Sequence, residues 1–183
     1  MEDFNIHIIS PFSFDKRLGK AYNDAMKIIP ENDWVIITDY DVCFLLPETI
    51  PRIKEYIEKY PKTALFNCLT NRIGGNSPKY MCYKKSISED VNFKNHIDIA
   101  KELHLKGLQV TKASHELSGF LMVMPKKTWN KYKFNEDKLC LGVDNHFYNL
   151  LIKNRETILR MDSVYVWHTY RLDKKIKDKS HLK

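Results

Sequence analysis

Hydrophobic positions along the chain follow two rhythms, and one stretch breaks both. In Asp33-Trp34-Val35-Ile36-Ile37-Thr38-Asp39-Tyr40-Asp41-Val42, the residues from Val35 to Thr38 are all β-branched, which favours a strand. The run is apolar without alternation, as in a strand covered on both faces. It closes on two aspartates separated by one residue. Positions i and i+2 of extended backbone project to the same side, so Asp39 and Asp41 are expected to converge just past the strand's carboxyl end. Open α/β sheets hold their ligands at that end.

The other elements follow from spacing. Residues 4–10 read as a first strand, ended by Pro11, which has no N–H for a ladder. Ser10-Pro11-Phe12-Ser13 is then a loop. Leu18, Ala21, Tyr22, Ala25 and Ile29 share helical spacing and predict a helix over 18–29, with Asp15 as its N-cap. Strand, helix and strand in this order imply a parallel pair with a right-handed crossover. Ile53, Tyr56, Ile57 and Tyr60 form the apolar stripe of an amphipathic helix, with Pro51 in its first turn and Pro61 past its end. Further strands are expected over 63–69, 116–124, 157–161 and 163–167, and further helices over 96–105, 125–131 and 144–153. Residues 70–95 are irregular and carry the turn signal Gly74-Gly75-Asn76-Ser77-Pro78. A loop this long inside a compact domain is functional or disordered. With Asn71, Arg72 and Gly74 it is a candidate lid or acceptor wall.

Composition narrows the class. At 183 residues with 43% hydrophobic content the chain fits one domain with a real core. No apolar run reaches membrane-spanning length, and Met1-Glu2-Asp3-Phe4 lacks the layout of a signal peptide, so neither is expected. Cys43, Cys68, Cys82 and Cys140 are scattered without a C-x-x-C pair. That argues against a zinc site and for reduced thiols in a cytoplasmic setting. The net charge of +7 is concentrated at one end: residues 171–183 hold six basic and two acidic residues. Such a basic tail either favours anionic membranes or nucleic acid, or is a solvated, solubilising segment. No helix-turn-helix, zinc finger or aromatic RNA-binding signature supports a specific nucleic-acid partner.

Two carboxylates crowded at a strand end repel each other and attract a cation. Oxygen ligands suit Mg²⁺ or Mn²⁺, which share their remaining coordination with substrate phosphates; a solvated turn with two unrelated acids is the alternative. Asp144, in Gly142-Val143-Asp144-Asn145-His146, stands at a helix start, where the helix dipole stabilises a carboxylate. It is either an N-cap or a positioned base. His168 closes Val164-Tyr165-Val166-Trp167-His168, as a metal ligand or a structural hydrogen-bonder. At Ser118-Gly119-Phe120 the glycine marks either a bulge or a close approach to a ligand.

The order of these features resembles the GT-A glycosyltransferases, particularly family-2-like inverting enzymes. Their marks here are the strand ending in Asp39-Tyr40-Asp41, Ser118-Gly119-Phe120 ahead of Pro125-Lys126-Lys127-Thr128-Trp129, Asp144 opening a helix, and the terminal His168. Gly19-Lys20-Ala21-Tyr22-Asn23 looks like the family's G-x-A-x-N segment. The resemblance spans residues 6–170. Two departures accompany it: the usual opening strand–helix–strand, with the acid that grips the base, has no clear equivalent, and the usual Glu-Asp is Val143-Asp144.

The resemblance implies one Rossmann-like GT-A domain over 1–170, α/β with a mixed, mostly parallel sheet flanked by helices, followed by the tail at 171–183. It implies a sugar-nucleotide donor, with UDP the base by family frequency. Asp39, Asp41 and His168 would hold Mn²⁺ or Mg²⁺ against the diphosphate. Ser10, Pro11, Phe12, Lys16, Asn23, Asp39, Tyr40 and Gly119 would surround the nucleotide sugar, with Lys16, Arg17 and Arg72 as phosphate contacts. Asp144 would be the general base that activates a saccharide or lipid-linked acceptor hydroxyl. Trp129 and Trp167 either stack on a sugar or pack in the core. Two rivals remain: a degenerate, non-catalytic module binding sugar or nucleic acid, and a sugar-phosphate nucleotidyltransferase. The second normally carries a glycine-rich phosphate loop near its start, absent from residues 1–20. The basic tail makes peripheral membrane contact conceivable.

Overall fold

In a computed structural model, residues 3–73, 81–113 and 118–170 are described. The elements are β1 (Ile6–Ile9), α1 (Leu18–Lys27), β2 (Trp34–Thr38), β3 (Val42–Phe44), α2 (Thr49–Lys59), β4 (Leu65–Thr70), α3 (Phe93–His104), β5 (Val110–Lys112), β6 (Leu121–Pro125), α4 (Lys126–Tyr132), α5 (Val143–Lys153) and β7 (Ile158–His168). They build an α/β fold around one seven-stranded sheet of order β1-β2-β6-β4-β7-β3, with β5 added on β7. None of the described helices is long and apolar enough to cross a membrane. All four cysteines are free.

β2 is buried at every position, as its unbroken apolar run requires. Val35 and Ile37 join one core with Tyr22 and Met26 of α1 and Phe147 and Leu151 of α5. Trp34 and Ile36 join the opposite core with Ile53, Tyr56 and Ile57 of α2. A third cluster sets Leu69 and Tyr165 against Ala100 and Leu103 of α3. The sheet is therefore a filled middle layer.

Several expectations are corrected. The sheet is mixed, as expected, but not mostly parallel: β1–β2 and β4–β7 are parallel, whereas β6 runs antiparallel between β2 and β4, and β3 and β5 lie antiparallel on β7. Both β3 and β5 escape the sequence pattern because each is three half-exposed or exposed residues long. The two late strands are one strand, β7. Its register on β4 jumps from Cys68↔Met161 to Leu69↔Tyr165, and the intervening polar Asp162-Ser163 is what splits the apolar pattern. Tyr56 holds this irregular segment, its hydroxyl oxygen accepting from the Ser163 N–H at 3.1 Å. β6 starts only at Leu121, because Gly119 and Phe120 form a turn and 114–117 lie outside the described residues.

Helix starts shift as well. Arg17, not Asp15, is the N-cap of α1; the Asp15 carboxylate instead accepts from the Arg17 N–H and the Ser13 hydroxyl. α3 begins at Phe93, where Asn92 accepts from the Lys94 N–H at 3.1 Å, a side-chain cap.

Topology decides where chemistry collects. β1, β2, β4 and β7 point the same way, and β6 opposes them. The carboxyl ends of the first four and the amino end of β6 thus share one edge of the sheet. Ser10, Asp39 and Asn71 follow those strand ends, His168 closes β7, and Phe120 precedes β6.

Candidate metal centre

Asp39 is fixed by the backbone of two neighbouring segments. Its N–H donates to the Phe120 carbonyl at 3.0 Å, and its carbonyl accepts from the Val42 N–H at 3.3 Å. The chain turns through Tyr40 and Asp41. The two acids therefore meet across a turn, not along extended strand as the i, i+2 argument supposed. β3 then pairs with the end of β7, Val42 against His168, and the Asp41 carbonyl accepts from both the N–H and the hydroxyl of Thr169. Strand pairing, not local sequence, brings His168 to the acids.

The imidazole is held on several sides. The His168 N–H donates to Asn71 Oδ1 at 2.9 Å. Phe120 stacks on the ring at 5.3 Å between centroids, and Tyr170 lies at 5.4 Å. The decisive contact is His168 Nδ1 to the Arg72 carbonyl oxygen, 3.0 Å. A carbonyl only accepts, so Nδ1 carries a proton. In neutral imidazole Nε2 is then a bare lone pair. It is buried, has no hydrogen-bond partner among the described residues, and lies 3.1 Å from Asp41 Oδ1 and 4.0 Å from Asp39 Oδ2.

Asp39, Asp41 and His168 offer three ligand atoms within 4.8 Å of one another. Three electron-rich atoms this close are stable together when a proton or a metal ion sits among them. A backbone carbonyl fixing the tautomer of a ligating histidine is a frequent feature of metal sites. The donor set, two carboxylates and one imidazole, fits a divalent cation. Although 41% of the Asp39 side chain is open to solvent, its pKa is pushed up to about 6. Desolvation by the surrounding protein is the largest cause; the charges of Asp41 and Asp144 add to it and His168 opposes it.

Asp144 belongs to the same electrostatic neighbourhood, since its charge helps raise the pKa of both Asp39 and the buried Tyr22. It is not the N-cap of α5. That position is Gly142, left-handed at φ 80°, a conformation open to glycine at no steric cost. Asp144 sits in the first turn, where Oδ2 accepts from the Gly119 N–H at 2.8 Å and Oδ1 from the Asn145 N–H at 2.9 Å. The close approach suspected at Gly119 is therefore made by Asp144.

No protein-family model matches the chain, and no curated protein matches it in sequence. The geometry stands by itself.

Arg72 is neither a lid nor an exposed phosphate arm. The residue is 2% exposed, and its Nε and Nη2 have no hydrogen-bond partner among the described residues. Burial lowers its pKa, against the raising charges of Glu89 and Tyr170. Asn71 is fully buried beside it, so both residues are supports of His168; Gly74 lies outside the described residues. Asn23 also turns inward. Its amide donates to the Phe134 carbonyl and to Glu136 Oε1, and its oxygen accepts from Trp129 Nε1 and the Phe134 N–H. All four bonding capacities are used inside the protein, leaving none for a nucleotide. Trp129 is buried in the same network, and Trp167 stacks on His96 at 5.1 Å.

Ser10, Pro11, Phe12 and Lys16 do line the loop that leaves β1 at the shared sheet edge, with Ser10 and Phe12 exposed. Lys16 has φ 62°, and its carbonyl accepts from the Leu18 N–H at 2.9 Å. Tyr40 is exposed between the two acids. Sequence reasoning missed Phe120 and Tyr170 as the ring neighbours of His168; contacts between distant segments leave no local mark. A cavity of about 240 Å³ lined by Lys62, Lys127, Lys131 and Glu156 opens beside the amino end of β4, away from the acids.

Proposed function

We propose that the chain is a metal-dependent glycosyltransferase of the GT-A type, moving a sugar from a nucleotide donor, UDP-sugar by preference, to a hydroxyl acceptor with inversion. The observation that carries this reading is the buried His168 Nε2 facing the carboxylates of Asp39 and Asp41, with the ring fixed through Nδ1 by the Arg72 carbonyl. Those three residues would hold Mn²⁺ or Mg²⁺, which when bound supplies Lewis-acid neutralisation of the departing diphosphate.

Asp144 takes the role of base. The hydroxyl oxygen of the acceptor attacks the anomeric carbon on the face opposite the leaving diphosphate, and its proton passes to an Asp144 carboxylate oxygen. One displacement inverts the anomeric centre. The Gly119 N–H and the α5 amino end hold the carboxylate in place. Ser10, Pro11, Phe12, Lys16 and Tyr40 lie at the edge where base and ribose would rest.

Thermal melting tests the reading. A ligand that binds only the folded state raises the midpoint. UDP, GDP and CDP are each added with and without Mn²⁺. A Mn²⁺-dependent rise with one nucleotide is expected; no rise with any nucleotide, or one indifferent to metal, overturns it.

A further inference from the structure

Two loops, one of them leaving the carboxyl end of β1, expose large apolar side chains, of which only Phe12 has a place in the proposed donor site. In the loop after β1, Phe12 is 71% and Phe14 95% exposed. Their rings touch edge to face at 4.8 Å, so the pair forms a ready-made apolar tip. In the loop before α5, Leu139 and Leu141 are also exposed. Between them, the Cys140 thiol donates to the Lys16 carbonyl at 3.5 Å, which ties the two loops together. The patch draws on two segments, and the first leaves the carboxyl end of β1, at the sheet edge that also bears Asp39 and His168.

We propose that this surface docks the protein on an anionic phospholipid bilayer. Aromatic and leucine side chains at loop tips insert at the level of lipid headgroups. A single apolar contact gives weak, reversible attachment, and stable anchoring takes a second, basic signal. The chain carries such a signal in its sequence. The described residues end at Tyr170, whose ring lies against His168, and residues 171–183 follow directly with six basic and two acidic side chains. Each basic residue near an anionic leaflet adds attraction. A second copy of the chain is a poorer occupant. Four side chains fall short of the about 800 Å² per partner of a stable interface, and a net charge of +7 makes two copies repel. Docked this way, the sheet edge bearing Asp39 and Asp144 faces the membrane. The proposal names the surroundings in which the proposed transferase works, but its test does not depend on metal or nucleotide.

The test is co-sedimentation of the full chain with phosphatidylcholine vesicles, with and without phosphatidylglycerol. The wild-type chain is expected to pellet with the anionic vesicles, and the Phe14→Ser/Leu139→Ser variant to lose about tenfold or more of that partition at an unchanged melting temperature. Leu141→Ser repeats the test with a side chain outside the proposed donor site. Absence of the wild-type chain from anionic vesicle pellets overturns the proposal. So does equal partition of wild type and both variants, which assigns binding to the tail alone. A dimer in sedimentation velocity that the same variants abolish assigns the patch to a second copy and overturns it too. Loss of the Mn²⁺-dependent melting shift bears on the transferase reading alone.

Discussion

Gly119 and Asp144 meet so closely that one more carbon atom does not fit between them. A Cβ on Gly119 would lie 2.9 Å from the Asp144 Cβ and 3.2 Å from its Oδ2, while the Gly119 N–H already donates to that oxygen at 2.8 Å. Gly119→Ala must therefore push the carboxylate aside. Overpacking of this kind costs about 1–3 kcal/mol, or a midpoint lowered by roughly 3–10 °C in a chain of this size. The variant is expected to keep the Mn²⁺-dependent melting shift and to lose sugar transfer. Transfer at the wild-type rate would show that the position of Asp144 does not matter.

Asp144→Asn separates placement from basicity. The amide oxygen still accepts from the Gly119 N–H, so the fold and nucleotide binding survive. What is lost is a group able to take a proton, worth about 10²–10⁴-fold in rate. A fall of that size in transfer, with an unchanged melting shift, is expected; full turnover removes Asp144 from the role.

Much of this was legible in the sequence, and the misses have physical causes. The β-branched run of β2 and the stripe of α2 follow from periodicity, and the place of Asp39 and Asp41 past a strand end from the rule that ligands gather there; His168 was joined to them only through the family resemblance. The route by which the acids converge did not: a turn through Tyr40 and the pairing of β3 with β7 depend on residues more than a hundred positions apart. Asn23 misled for a related reason. A helical asparagine looks available for a ligand until Phe134, Glu136 and Trp129 fold over it. Arg72 reads as part of a lid or as a phosphate contact in a polar loop, and only the packing shows it buried.

The Asn23 network predicts a structural phenotype. Asn23→Ala leaves the Trp129 indole N–H, the Phe134 N–H and the Phe134 carbonyl without partners in the interior. Each unsatisfied buried group costs about 1–3 kcal/mol. A loss of about 3 kcal/mol, read as a midpoint lower by roughly 6–12 °C, is expected, with the Mn²⁺-dependent shift intact in the folded fraction. A normal midpoint with loss of nucleotide binding would return Asn23 to the ligand site.

Asp33 and Asp39 bear on stability with opposite signs. The Asp33 carboxylate accepts from the Asn5 N–H at 2.9 Å and meets His7 Nε2 at 2.7 Å, and these bonds, the first most, hold its pKa below the ordinary 3.8. A depressed pKa stabilises the fold above the ordinary value, and the contribution is lost as the pH falls through the lowered one. Asp33→Asn should therefore melt below wild type at pH 7, with the gap closing in acid below about pH 4. Equal midpoints at pH 7 would dismiss the pair.

For Asp39 the pKa is raised from 3.8 to about 6, by burial first and by its acidic neighbours. Here the contribution is complete below pH 3.8 and is lost as the pH rises through 6. At pH 7.5 and without metal the ionised carboxylate is thus a burden on the fold. Asp39→Asn removes it and is expected to melt higher than wild type in chelator at pH 7.5, with the advantage fading toward pH 4. Adding Mn²⁺ should reverse the order, because only wild type retains both carboxylates to bind the ion, and binding to the folded state adds stability in proportion to the logarithm of metal concentration. Melting curves of both proteins at pH 4, 6 and 7.5, with chelator and with Mn²⁺, read this directly. A variant that melts below wild type in chelator at every pH would mean that Asp39 is an ordinary stabilising acid, and a Mn²⁺ shift of equal size in both would place the ion elsewhere.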